Sequence, residues 1–196
     1  MKKVIAAFNM TLDGVCDHTT GIADEELHQH YAELINNGGV ILYGRTTYQL
    51  MQFWQELLKN PSGEKSMDDF AISIDKIQKL VFSNTLKDTG WDSAKLAGKP
   101  LVDEVLELKQ QSEKDILVGS RSLIIQLLNN NLIDEFQIFI HPIIEGKGLL
   151  LFDQIKDRIV LKLVKTKLLN SGATVLYYEP TAQNDKQTTD ETKLKK

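Results

Sequence analysis

Residues 115–152 read DILVGSRSLIIQLLNNNLIDEFQIFIHPIIEGKGLLLF. The run Asp115–Gly119 is short, apolar and closed by glycine, the pattern of a strand buried on both faces. Ser122–Leu128 then repeats apolar residues at helical spacing, and Asn129-Asn130-Asn131 ends that helix with residues that tolerate a left-handed backbone. Phe136–Ile140 is a further strand. Strand, glycine-serine turn, helix and strand in succession are the signature of an α/β sheet.

The same alternation extends upstream. Lys3–Phe8 is an apolar run suited to a central strand, and residues 24–36 form a helix with acids in its first turn and Leu27, Tyr31, Leu34 and Ile35 on one face. Asn37-Gly38-Gly39 stops it before the strand Val40–Tyr43, and Thr46 or Thr47 can cap the next helix, which carries Tyr48, Met51 and Trp54. Asn60–Lys65 is a loop, Lys79–Ser83 a strand and Leu101–Gln111 an amphipathic helix. Downstream of Asp134 the helices cease. Val160–Leu169 and Ala173–Tyr178 read as strands joined by the hairpin turn Asn170-Ser171-Gly172. The expected fold is therefore one α/β domain over residues 1–180, with a mixed, mostly parallel sheet and antiparallel C-terminal strands. Residues 181–196 have one Ala and one Leu as their only apolar side chains and read as a disordered charged tail.

The 196 residues carry 23 Lys and Arg against 27 Asp and Glu, a formal net charge of -4. A mildly acidic chain lacks the positive field that nucleic acid or an anionic membrane selects, so neither is expected as a partner. Cys16 is the lone cysteine, which excludes an internal disulfide and a thiolate zinc cluster, and His18 and His30 give no metal-ligand pattern, so no metal is expected. The apolar N-terminal run is too short for a signal peptide, and a cytoplasmic setting follows.

In open α/β sheets ligands gather at the carboxyl ends of strands. Three such ends carry groups suited to an anion: Gly44-Arg45-Thr46-Thr47, Ser83-Asn84-Thr85 and Gly119-Ser120-Arg121-Ser122. Glycine admits close backbone approach, the hydroxyls and first-turn amides donate hydrogen bonds, and a guanidinium can hold a phosphate through two bonds. Each alone fits a plain turn or helix cap. Together on one rim they suit a ligand with several separate anionic groups, although none matches GxGxxG or the P-loop.

The segments VIAAFNMTLDGV, VILYGRTTYQLM and KLVFSNTL, followed by the long stretch quoted first, occur in an order and spacing that resembles the dihydrofolate reductase superfamily. The nearer resemblance is to its bacterial branch related to the C-terminal reductase domain of the bifunctional riboflavin-biosynthesis deaminase/reductase. That resemblance implies a three-layer fold with helices on both sheet faces and an NADPH-dependent reductase. It implies that Gly44, Arg45, Thr46 and Thr47 hold the 2′-phosphate and pyrophosphate, with Ser83 and Asn84 beside the 2′-phosphate. Gly119, Ser120, Arg121, Ser122 and Leu123 would line the pyrophosphate and nicotinamide ribose, and Ala7 and Val15 would flank the nicotinamide. Where the family often has Gly-Gly joined by a cis peptide, this chain has Gly119-Ser120. The position of the family's folate-binding carboxylate falls near His28, with Glu25, Glu26 and Tyr31 close by, a departure from the folate-reducing members of the superfamily. His28 or Glu26 would orient or protonate a nitrogen heterocycle, Asp13 would bond a ribose or shape its loop, and Tyr31 and His141 would face the substrate.

The resulting expectation is hydride transfer from NADPH to a C=N or C=O carbon of a small polar, pterin- or pyrimidine-like substrate. Two alternatives stand behind it. One is the riboflavin-pathway reduction of a phosphorylated ribosylaminopyrimidine, for whose phosphate only Lys147 and Arg158 offer loose candidates. The other is a nucleotide-binding module without turnover. Leu149–Phe152 and the apolar strands also suggest a homodimer.

Overall fold

The computed structural model describes residues 2–181; of the expected tail only Thr181 falls within them. Thirteen elements follow in order: β1 (Val4–Thr11), α1 (Glu25–Asn37), β2 (Gly38–Gly44), α2 (Arg45–Lys59), α3 (Lys65–Lys76), β3 (Gln78–Phe82), β4 (Ala94–Leu96), α4 (Leu101–Gln111), β5 (Asp115–Val118), α5 (Arg121–Asn129), β6 (Glu135–His141), β7 (Leu161–Leu168) and β8 (Thr174–Pro180). The strands form one sheet in the order β4-β3-β2-β5-β1-β6-β8-β7. The first six pair in parallel, β8 runs antiparallel to β6, and β7 antiparallel to β8. This is the mixed sheet the sequence implies, with β1 central as its apolar run requires.

Successive side chains of a strand point to opposite faces, and over the central strands both faces are covered. Val4, Ala6, Leu42, Ile116 and Val118 pack under α4 and α5 through Val105, Ile124 and Leu127. Ile5, Ile41, Tyr43, Val81 and Leu117 pack under α1, α2 and α3 through Ile35, Tyr48, Phe70 and Ile74. Double burial is why these strands read as unbroken apolar runs rather than alternating ones. No helix among the described residues is long and apolar enough to cross a membrane.

Two elements went unread in the sequence. Helix α3 buries Ser66, Ala71 and Ser73 alongside Phe70 and Ile74, which dilutes its apolar stripe, and β4 is only three residues long. The third difference is a cap. Helix α2 starts directly at Arg45 with Gly44 as N-cap and no side-chain cap bond, so Thr46 and Thr47 lie in its first turn instead of capping it.

Lys79 on β3 is fully buried. Its ammonium donates to the carbonyls of Asp75 (3.2 Å) and Ile77 (3.0 Å) at the end of α3 and to Ser93 Oγ (2.6 Å), and lies 4.1 Å from the Trp91 ring centre. Burial pulls its pKa from 10.5 down to about 8, against the pull of Asp75. The folded chain therefore binds fewer protons here than the unfolded chain between those values. The penalty for the charged form is complete below pH 8 and relieved as pH rises toward 10.5. In urea unfolding, wild type gains on the order of 1–3 kcal/mol relative to Lys79→Met across that window. A difference that stays constant with pH contradicts the assignment.

Candidate functional site

Strand β5 stops at Val118, whose partners are Ala6 on β1 and Leu42 on β2. Both neighbours run on: β1 reaches Thr11 paired with β6, and β2 reaches Gly44 paired with β3. A notch opens above the end of β5, with Ala7–Met10 as one wall and Tyr43–Gly44 as the other. Gly119 forms its floor. A Cβ at this position would stand 2.6 Å from Tyr43 Cε1, so only glycine lets the chain turn beneath that ring. The Gly119 N–H donates to the Leu42 carbonyl (3.2 Å), and the buried Ser120 Oγ accepts from the Gly44 N–H (2.9 Å). The described residues contain no cis peptide bond, so Gly119-Ser120 is trans.

Because β3, β2 and β5 are adjacent and parallel, the three tips picked out in the sequence lie side by side on one rim. Arg45 links two of them, its Nη1 donating to Thr85 Oγ1 (2.7 Å), and Ser120 links the third to Gly44. Arg45, Thr46, Asn84 and Ser122 are exposed along this rim. Ser83 Oγ turns inward and accepts from the amides of Thr85 and Leu86. Leu123 is a buried core residue, leaving only its backbone for a ligand. Arg121 is occupied: its Nε donates to the Leu150 carbonyl (2.7 Å) and its guanidinium pairs with Asp153.

Val15 is buried and bridges to Leu150. The segment 11–17 is zipped onto 143–151 by Leu12 N–H to Ile143 O, Cys16 N–H to Leu149 O and Leu151 N–H to Gly14 O. Two carboxylates complete the zip. Asp17 accepts from the Leu149 amide, and Asp13 accepts from Thr11 Oγ1 (2.6 Å) and from the amides of Gly146 (2.7 Å) and Glu145 (3.2 Å). The Thr11 bond above all, with the two amides, holds the Asp13 pKa down at about 2. At neutral pH it is an ionised loop anchor with no proton to give.

Glu26 also serves the frame: its Oε2 accepts from the Asn170 amide (2.6 Å), while Asp24 caps Leu27 and accepts from Ser171 (3.1 Å). The two carboxylates thus hold the β7–β8 turn against the start of α1. His28 faces the other helices, edge-on to Trp54 at 5.6 Å and tilted against Phe70 at 6.2 Å, and burial lowers its pKa.

The polar group that does line the end of β1 is one the sequence reading left out: Asn9. His141, fully buried, accepts from the Ile22 N–H at Nδ1 (3.1 Å), which puts its proton on Nε2, 3.2 Å from Asn9 Oδ1. Burial lowers the His141 pKa and keeps the ring neutral. Asn9 also lies beside the Tyr31 hydroxyl, where it works against the upward push of burial on that group's pKa. Tyr31 stacks on Phe139 at 4.7 Å, and its hydroxyl and that of Tyr43 are pushed far above the ordinary range by burial, so both stay protonated donors. The signal for Asn9 was a polar residue directly after the apolar run of a central strand.

Two open grooves lie away from this rim. One of about 350 Å³ runs between α1 and α3, lined by Gln29, Glu33, Asn36, Asp69 and Lys76. The other, about 370 Å³, sits at the amino ends of β2, β3 and β5. Neither includes a candidate residue.

The sequence model of the RibD C-terminal domain matches residues 2–176. The chain belongs to that family. This agrees with the resemblance read from the sequence. YyaP of Bacillus subtilis (strain 168), described as an uncharacterized protein, is 32% identical over 181 residues, covering 90% of this chain and 94% of YyaP. A putative riboflavin biosynthesis protein from Shewanella sp. PV-4 superposes with a TM-score of 0.70 at 20% identity over 92% of this chain and 99% of its own. A diaminohydroxyphosphoribosylaminopyrimidine deaminase/5-amino-6-(5-phosphoribosylamino)uracil reductase from Thermotoga maritima does so with a TM-score of 0.64 at 18% identity, over 92% of this chain and 57% of that longer one. The two solved structures share the fold of this chain.

The zip makes a prediction. In Asp13→Asn the acceptor charge is lost, and the Glu145 and Gly146 amides exchange hydrogen a few-fold faster by mass spectrometry at neutral pH. Unchanged exchange of this segment contradicts the anchoring role.

Proposed function

We propose that the chain is an NADPH-dependent reductase acting on a small polar heterocycle of the pterin or pyrimidine kind. The observation that carries this reading is the rim itself: three donor-rich tips on adjacent parallel strands, tied by Arg45–Thr85 and Gly44–Ser120, beside a notch at the end of β5. Membership of the RibD C-terminal domain family supports it.

The donor chemistry fits the cofactor. Arg45, Thr46 and Asn84 present a guanidinium, a hydroxyl and an amide where a 2′-phosphate would lie, and the uncapped first-turn amides of α2 add their dipole. Gly44 leaves room near Ser122, whose Oγ would be 3.3 Å from a Cβ built there. Gly119 and the backbone of Ala7 would bound the nicotinamide. NADPH, when bound, supplies the hydride.

The chain's own residues do the rest. The His141–Asn9 pair fixes the Asn9 amide, which would orient the neighbouring Tyr31 hydroxyl at the end of β1. Tyr31 and Tyr43 remain neutral donors and would bond a carbonyl or imine nitrogen of the substrate, favouring the electron-richer reduced form without an ionised acid. Water then delivers the proton. Positioning of this kind accounts for roughly 7–11 kcal/mol of a barrier, more than a general acid contributes.

The riboflavin-pathway step is the narrower reading. The Thermotoga relative, whose fold this chain shares, is named for it. The exposed Lys147 and Arg158, in the segment between β6 and β7, would meet the substrate phosphate.

Fluorescence titration with both nicotinamide cofactors tests the cofactor reading. Wild type prefers NADPH over NADH, and Arg45→Ala weakens NADPH roughly tenfold while changing NADH about twofold or less, the effect of one exposed charge-assisted phosphate contact. Equal affinity for the two cofactors in wild type refutes the 2′-phosphate contact.

A further inference from the structure

In the parallel register of β1 and β6, Asn9 stands opposite Phe139 and Thr11 opposite His141, so these side chains share one face of the sheet. Phe139 clusters with Leu27 and Tyr31, which makes it the α1 face. The connection from β1 to α1 crosses this face and rests against the His141 ring. A Cβ at Gly21 would stand 3.1 Å from His141 Nε2 and 3.4 Å from Cε1, and the amide of the next residue, Ile22, lies 3.1 Å from Nδ1.

A backbone N–H only donates, and that fixes the direction of every bond beyond it. His141 Nδ1 must accept from Ile22. Burial keeps the ring neutral against the pull of Asp24, so its single proton sits on Nε2 and goes to Asn9 Oδ1 at 3.2 Å. A carboxamide whose oxygen is taken has only N–H groups to offer on its other prong. Asn9 works against the upward push of burial on the Tyr31 hydroxyl, as a donor to that oxygen does and an acceptor does not. The Tyr31 ring is held in place by stacking on Phe139 at 4.7 Å. A hydroxyl oxygen that accepts from Asn9 keeps its own proton for the next acceptor.

We propose that Ile22, His141, Asn9 and Tyr31 form a one-way chain of hydrogen bonds, with His141 as its positioning residue, and that this chain restricts the substrate to heterocycles presenting an acceptor to the Tyr31 hydroxyl. The acceptor is a carbonyl oxygen or an unprotonated ring nitrogen. The proposal rests on the reading of the notch as the substrate site of a reductase. An amino group in the same place meets a donor with a donor, and the Tyr31 proton is left without a partner in a buried site. Each bond also polarises the next, so the last donor of the chain is stronger than an isolated phenol.

Calorimetric titration of the full chain, saturated with oxidised NADP so that nothing turns over, tests this with two pteridines. Lumazine carries carbonyls where 2,4-diaminopteridine carries amino groups. Wild type binds lumazine at least about tenfold more tightly, the effect of one mismatched hydrogen bond. In Asn9→Asp a carboxylate takes the Tyr31 proton, and the preference reverses. In His141→Phe the Asn9 amide is free to turn over, and the ratio falls below about threefold, whereas a merely structural loss weakens both ligands alike. A wild type that binds the diamino compound equally or more tightly overturns the proposal, as does a lumazine preference that Asn9→Asp leaves in place. Long-range proton–nitrogen correlation spectra of wild type need neither ligand nor variant: a His141 ring protonated at Nε2 supports the chain, and one protonated at Nδ1 overturns it. If neither pteridine binds, the heterocycle reading itself fails, and the His141 tautomer alone decides for or against the chain.

Discussion

The early end of β5 is the constraint on which the rest of the structure depends. A parallel strand between two longer neighbours leaves their backbone unpaired for several residues, and unpaired backbone must find a partner. Here the chain turns at Gly119 under the Tyr43 ring, Ser120 stitches the turn to Gly44, and α5 leaves at once. The wall Ala7–Met10 and the rim of three tips are consequences of that stop. So is the alignment of the α2 and α5 amino ends toward the same space.

Charge is distributed around the notch in a consistent way. The carboxylates of Asp13, Asp17, Asp24 and Glu26 are all committed to backbone amides of neighbouring loops. Arg121 is neutralised by Asp153. What remains around the notch is a rim of cationic and neutral donors and, inside it, the neutral hydroxyls of Tyr31 and Tyr43. A polyanionic cofactor suits the first, and an uncharged heterocycle rich in acceptors suits the second. A cationic heterocycle would want a free carboxylate, and the acids named here are spent on the frame.

Much of this was legible in the sequence because double burial writes itself plainly. Strands β2, β3 and β5 are apolar runs closed by glycine or serine, and parallel pairing brings their ends to one rim whatever the details. Helix α3 was hidden by its buried serines, one of which, Ser73, bonds back to the Asp69 carbonyl within its own helix. Roles resting on tertiary partners were also hidden. Glu26 looks like a catalytic acid until the Asn170 amide arrives from 144 residues away, and Asn9 looks like a strand end until His141 fixes its amide. The alternation of leucine and lysine in β7 predicts a half-buried strand, yet both its faces are exposed in the single chain.

The central claim is that a nicotinamide cofactor lies along the rim above β5. Hydrogen–deuterium exchange of the intact protein with and without saturating NADPH measures it most directly. The account predicts slowed exchange in residues 44–47, 83–86 and 119–123. Protection confined to the groove between α1 and α3, or no protection at saturation, would contradict it.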